Sequence, residues 1–258
     1  MRFRRRVALW RGVWRSLAIY RFDRRHRKSL ARLYASFVRP GDLVFDIGAH
    51  VGDRTAAFAG LGARVVAVEP QPHLARFLRL AFAGKSRVTV IEAAVGDRAG
   101  TIRLNLNLAN PTVASASDAF VEAAGRGGEA WSGQVWEGTV DVPATTLDQL
   151  IAEHGHPAFV KIDVEGFEDK VLDGLSDASL PPALSFEFVT LDRSAAQRAL
   201  ERAASLGYRH FNLSLGESHT MMFETAQPVP VLAETLATLS EEANSGDVYC
   251  FLRPEVAG

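Results

Sequence analysis

Cysteine is nearly absent from this chain: Cys250 stands alone in the apolar run VYCFL. No internal disulfide framework can form, and a reducing, cytoplasmic setting is expected. The cysteine itself reads as a small buried strand residue. Long apolar runs are missing too; none approaches the ~20 residues of a membrane span, and no stretch has the pattern of a cleavable signal sequence. No nucleic-acid-binding module is recognisable, so no nucleic-acid partner is expected. Acidic residues are scarce in one region. Residues 1–40 hold thirteen Lys or Arg and a single acid, Asp23, for a net charge of +12, whereas the remaining 218 residues carry −13. Such asymmetry assigns the N-terminus a job of its own.

The stretch FDIGAHVG is the centre around which the rest of the chain is organised. Leu43, Val44 and Phe45 predict a buried strand that stops at Asp46, Gly48 and Gly52, before the helical pattern of Thr55 to Leu61. A strand, a glycine turn and a helix make a ligand-binding corner, with backbone amides of partial positive charge facing outward. Asp46 narrows the ligand, because its carboxylate repels a pyrophosphate and attracts an amino group or a sulfonium. The third glycine of GxGxxG is also missing. The next apolar run ends in a second acid, Glu69, followed by Pro70, where a carboxylate can take both hydroxyls of a ribose.

Along the chain, strands at Arg64 to Val68, Val88 to Val95, PAFVKIDVEG and Ala183 to Val189 alternate with helical patterns. This predicts an α/β domain with a mostly parallel, doubly wound sheet and helices on both faces. YRHFNLSL and DVYCFL, joined without a full crossover helix, predict an antiparallel hairpin at the sheet edge. The expected division is a basic, amphipathic helical extension over residues 1–39 and one catalytic domain over 40–258. Residues 1–25 interleave arginines with Trp10 and Trp14 and suit an anionic membrane surface or an acidic partner, while 28–39 suit packing across the domain. From Ala109 to Gly138 no period is sustained, and the stretch reads equally as a substrate loop or a disordered insertion.

FDIGAHVG, AVEPQP, LNLNLAN, TTLDQL, VKIDVEGFEDKVLDG and LSFEF, in this order over roughly residues 41–190, resemble the FkbM family of S-adenosylmethionine-dependent methyltransferases. The resemblance implies the seven-stranded class I methyltransferase fold and O-methylation of hydroxyls on sugars, glycolipids or polyketides. Carried onto this sequence, it places Asp46, Gly48, Ala49 and Gly52 at the methionine end of the cofactor and Glu69 with Pro70 at the ribose. Glu92, Ala93 and Ala94 fall at the adenine. His50 stands where the family commonly has asparagine.

Methyl transfer from a sulfonium is an in-line displacement, so the protein mainly orients a hydroxyl and removes its proton. Asp163, at the carboxyl edge of its strand, is the first candidate for a group beside the cofactor methyl and the acceptor hydroxyl. Its structural alternative is a carboxylate paired with Lys161 or receiving amides of the next helix. Glu187, an acid within LSFEFV, needs the cleft edge or a cation; Glu165 divides between substrate and structure. A divalent ion on Asp163 and Glu187 lacks a convincingly spaced third ligand, so no metal is expected. Among the histidines, His50 is a catalytic candidate and His219, in GESHT, can reach the cleft, whereas His26 and His73 have no special context. A nicotinamide enzyme and a non-enzymatic, membrane-associated protein that keeps the fold remain the alternatives, and the acceptor, a small molecule or glycan, is set by loops with no transferable code.

Overall fold

The computed structural model describes residues 24–107, 109–127, 131 and 133–254. The main sheet forms from β1 (Leu43–Ile47), β2 (Arg64–Val68), β3 (Val88–Ile91), β7 (Phe159–Ile162), β8 (Ala183–Val189), β9 (His210–Leu215) and β10 (Ser245–Phe251), in the order β3-β2-β1-β7-β8-β10-β9. All neighbours are parallel except β10, which runs antiparallel to both β8 and β9. The order reverses at β1, so the crevice for a ligand lies beyond the carboxyl ends of β1 and β7.

Side chains alternate between the two faces, as the pleat requires. Phe45, Ile47, Val160, Ile162, Leu184 and Phe186 bury one face. Helices α5 (Leu147–His154) and α7 (Arg193–Leu206) contribute Leu147, Leu150, Ala199, Leu200 and Ala203 to the same cluster. Val44, Phe159, Ala183, Tyr249 and Phe251 bury the other. There α2 (Asp53–Gly60) contributes Phe58, and α1 (Arg24–Tyr34) with the turn after it contributes Leu30, Leu33, Tyr34, Phe37 and Val38. Tyr34 lies 4.4 Å from Phe58, and Phe37 stacks on Phe159 at 5.4 Å, measured between ring centroids. Helix α1 is therefore part of the core. The suggested membrane-surface stretch falls almost wholly on residues 1–23, outside the described residues; among those described, no helix is long and apolar enough to cross a membrane.

Two segments depart from the sequence expectations. The strand expected over Val88 to Val95 is broken: β3 ends at Ile91, whose carbonyl accepts from the Glu69 amide, and β4 (Ala94–Val95) joins a second sheet of order β4-β6-β5. This sheet takes β5 (Gly100–Leu106) and β6 (Gly138–Thr145). Nor is the stretch from Ala109 to Gly138 without structure. It holds α4 (Asp118–Arg126), capped by the Ser117 hydroxyl accepting from the Phe120 amide. Only Phe120 and Ala124 of that helix are buried, too few for a visible period. Phe120 packs edge-on against Trp131 and Trp136, and the Trp136 indole donates to the Val113 carbonyl at 2.9 Å.

If α1 belongs to the core, opening a cavity beneath it should cost as much as any core deletion. Phe58→Ala is expected to lower unfolding stability by ~3–5 kcal/mol in urea titrations; a change below ~1 kcal/mol would show that the helix does not seal this layer.

Candidate active site

The glycine turn begins where β1 stops. The amides of Gly48 and Ala49 both donate to the Val68 carbonyl, at 2.9 and 3.0 Å, which folds the chain back beneath β2. Gly48 has φ +82, and a Cβ there would fall 1.7 Å from the Asp163 carbonyl oxygen. The turn thus packs directly on the end of β7, and only hydrogen fits between. Gly52 has a different role from the one carried over. It is not among the residues lining the crevice; it starts α2 in the left-handed conformation, and a Cβ would strike Leu78 and Phe82.

The crevice is lined by Asp46, Gly48, Ala49, His50, Glu69, Pro70, Ala93, Ala94, Asp163 and Glu187, among others. Of the sequence candidates, Glu92 joins Gly52 outside it. Its carboxylate is turned to Arg79 of α3 (Pro72–Ala81), 2.7 Å away. The chain leaves the sheet at this point, so Ala93 and Ala94, not the acid before them, face the cavity.

Two carboxylates form the floor. Asp46 is buried and accepts from the Thr55 hydroxyl of α2. Burial dominates and the Thr55 bond only partly offsets it, so its pKa rises to about 6. Glu69 accepts from the Gln71 amide at 2.9 Å and the His50 amide at 2.8 Å, one per oxygen. Each oxygen retains a lone pair for a hydroxyl. Burial again prevails, lifting Glu69 to about 7.

Beyond the floor stands a second group of acids. One oxygen from each of Asp163, Glu165 and Glu187 lies within 4.8 Å of the other two. Glu165 supplies the third carboxylate that sequence spacing did not reveal; it sits in a left-handed turn at φ 56 with Gly166 next at φ 87. Glu168 holds this turn by accepting from the Val164 and Gly166 amides at 3.0 and 3.3 Å. The charges are arranged unequally. Burial raises Glu187 well above the ordinary carboxylate range, and the charges of Asp163 and Glu165 add to it. Burial also acts on Asp163, but Lys161, Arg54 and a hydrogen bond from Glu187 outweigh it and bring its pKa below the usual value. Asp163 is thus the more acidic of the two, with Glu187 hydrogen-bonded to it.

Lys161 explains how Asp163 keeps its charge. Its Nζ is buried at the centre of the sheet, 2.6 Å from Asp247 and 3.4 Å from Asp163. The pairing foreseen between Lys161 and Asp163 exists, yet the shorter contact goes to Asp247. That partner is 86 residues away and carries no local signal. His50 lines the cavity at φ 47, and burial lowers its pKa to about 4, leaving it neutral. Its Nε2 is buried and has no hydrogen-bond partner. Sequence reasoning missed Arg54 and Glu217, which also line the crevice and are joined by contacts of 3.1 Å.

This donor set fits S-adenosylmethionine. A carboxylate floor faces a cation, Glu69 offers lone pairs to two hydroxyls, and the Gly48 turn leaves no side chain in the way. In the same cavity, seven carboxyl side chains face one arginine among the lining residues, a poor setting for a pyrophosphate. Asp46→Asn and Glu69→Gln are each expected to weaken cofactor binding at least tenfold at pH 8 while the unfolding transition persists. In the wild type, calorimetric titration should show affinity falling as pH drops through about 7 and then about 6, because protonation removes both acceptors. Folding has the opposite dependence. With pKa values raised in the folded state, both groups favour folding at low pH, and that contribution disappears as pH rises through about 6 to 7. The thermal shift given by the cofactor should accordingly grow between pH 5 and 8.

Comparison with known proteins identifies the family. The family model for the methyltransferase FkbM domain matches residues 46–209. The chain is 34% identical over 167 residues to the 31-O-demethyl-FK506 methyltransferase FkbM of Streptomyces tacrolimicus, covering 56% of this chain and 63% of that protein's length. Among solved structures, the O-methyltransferase from Bacillus cereus in complex with SAH is 13% identical, with a TM-score of 0.49, over 96% of this chain and 90% of that one. The precorrin-6y C5,15-methyltransferase from Geobacter metallireducens is 15% identical, with a TM-score of 0.47, over 91% and 92%. From its matched domain, which begins at the buried acid of the cofactor floor, the chain belongs to the FkbM family of S-adenosylmethionine-dependent methyltransferases.

Proposed function

We propose that this protein methylates a hydroxyl group on a sugar, glycolipid or related natural product, with Asp163 receiving the hydroxyl proton. The observation that carries this reading is the Asp163 carboxylate just past the end of β7, with Lys161 Nζ 3.4 Å behind it and Glu165 and Glu187 beside it. The bound cofactor supplies an electrophilic methyl group on a positively charged sulfur.

An ordinary alcohol is a far weaker acid than the conjugate acid of Asp163, so early proton removal is uphill. As the acceptor oxygen bonds to the methyl carbon, it gains positive charge and its hydroxyl proton becomes strongly acidic. Asp163 then accepts that proton without needing a raised pKa. Before this, its carboxylate orients the hydroxyl by accepting its hydrogen bond. Glu187 and Glu165, both held above the usual carboxylate range by burial first and by neighbouring charges second, can donate to further oxygens of a polyol. His50 presents its partnerless Nε2 to the same space.

The segment around α4 contributes Thr112, Ala114 and Ala116 to the crevice, and the Ser115 hydroxyl donates to the Glu165 carbonyl at 2.6 Å. In this reading residues 109–138 are the acceptor-binding wall. The curated relative is by its name a methyltransferase of a natural product, which supports the same substrate class. The excess of arginine before residue 40 further suits an anionic membrane surface that carries or releases the acceptor.

Incubating the enzyme with radiolabelled methyl donor and a panel of sugars, glycolipids and polyketide alcohols should label at least one hydroxyl. Asp163→Asn is expected to lower kcat on that acceptor by ~100-fold or more. Label appearing only on nitrogen or carbon, or an unchanged kcat in this variant, would overturn the proposal. Full-length protein should also sediment with anionic vesicles and be released by salt; no association at low ionic strength would remove the membrane part of the reading.

A further inference from the structure

At the mouth of the crevice, three elements distant in sequence bring two histidines onto one carboxylate. His26 and Ser29 come from α1, Asp53 and Arg54 from the start of α2, and Glu217 and His219 from the loop after β9. The Ser29 hydroxyl lies 2.8 Å from the His26 carbonyl, to which it can donate, and 2.7 Å from His219 Nδ1. When Nδ1 carries the ring proton and donates to Ser29, Nε2 of His219 presents its lone pair 2.9 Å from Glu217 Oε2. In that tautomer two acceptors face each other, an arrangement that a cation between them relieves.

His26 repeats the pattern. Its Nε2 is 2.8 Å from Asp53 Oδ2 and must donate to it, which makes Nδ1 the lone-pair nitrogen of the neutral ring. That nitrogen is 3.9 Å from the same Glu217 oxygen. The two rings stand 4.8 Å apart, edge to face, and both histidine side chains are largely buried, 10% and 5% exposed. Asp53 and Glu217 bring two carboxylates to the cluster, and Arg54 donates to both, at 3.1 Å to Asp53 and 3.1 Å to each oxygen of Glu217.

We propose that His26 Nδ1, His219 Nε2 and Glu217 Oε2 bind a divalent transition metal, with zinc the best match. Ligand atoms around tetrahedral zinc stand about 3.3 Å apart, given bonds of about 2.0–2.1 Å; the separations of 2.9 and 3.9 Å lie on either side of that spacing. Two imidazoles and a carboxylate suit zinc better than magnesium or calcium. The second nitrogen of each ring is already anchored, His26 to a carboxylate and His219 to a hydroxyl, as ligating histidines require. The fourth position is left to water. The ion clamps α1 and the β9 loop together over a crevice that Asp53, Arg54 and Glu217 help to line. Its role is to close the rim of the pocket, separate from proton transfer at Asp163.

The test is titration of chelator-treated, full-length protein with zinc chloride by calorimetry, with metal content measured after dialysis. One zinc per chain is expected, with a rise in unfolding temperature. His26→Ala and His219→Ala should each weaken binding at least thirtyfold, and Ser29→Ala, which keeps all three ligands, about tenfold. Should a histidine variant fail to fold, Ser29→Ala and Glu217→Gln still decide the matter. Absence of stoichiometric binding, or binding unchanged by these substitutions because the ion sits on Asp163, Glu165 and Glu187, would overturn the proposal. So would nitrogen-15 NMR showing both His219 nitrogens protonated with zinc in excess, since a proton then occupies the place assigned to the metal.

Discussion

Negative charge crowded at the carboxyl edge of one sheet face is the constraint on which this molecule depends. Asp46 lies on β1 beside Lys161 of β7, Asp163 follows the last residue of β7, and Glu187 lies on β8 with Asp247 across from it on β10. Ionised carboxylates cannot be buried together without compensation. The protein answers in three ways. It places Lys161 within the sheet, leaves Glu187 and Glu69 with raised proton affinity, and keeps one side of the cavity open to a cationic ligand. A positively charged cofactor is therefore part of the electrostatic design of the fold.

The same constraint divides the acids into two groups. Asp46 and Glu69 sit on the β1–β2 side, where burial outweighs hydrogen bonding and the acids wait for a partner. Asp163 sits on the β7–β8 side, where Lys161 has already supplied the partner and the carboxylate stays charged. Gly48 joins the two halves. Its missing side chain lets the glycine turn rest on the Asp163 carbonyl, so the two groups of acids are fixed relative to each other by one contact.

Two outer elements complete the cavity. The α4 segment reaches it through Ser115 on Glu165 and is braced by Phe120, Trp131 and Trp136. Helix α1 reaches it from the opposite face, anchored by Tyr34 and Phe37 in the aromatic core and meeting α2 and the β9 loop through His26 and Ser29. Neither belongs to the alternation of strands and helices that makes the sheet, and each brings polar groups to the rim.

Much of this was legible in one dimension. The apolar runs, the glycine turn, Asp46, Glu69 and the KIDVEG strand fixed an α/β sheet and the kind of ligand its crevice holds, because strand periodicity and turn chemistry are local properties. The exits from regularity were not. Glu92 turned outward to Arg79, and Gly52 packed close to Leu78 and Phe82, outside the lining of the crevice. The helix at Asp118–Arg126 buried too little to show a period. Long-range pairs were beyond local reading altogether: Lys161 with Asp247, Glu165 with Asp163 and Glu187, His26 with Asp53 and Glu217. The sequence by itself determined which groups could exist along each strand and turn. Tertiary structure alone decided which charges would face each other, since Coulomb interactions depend on distance in space and no local pattern encodes that distance.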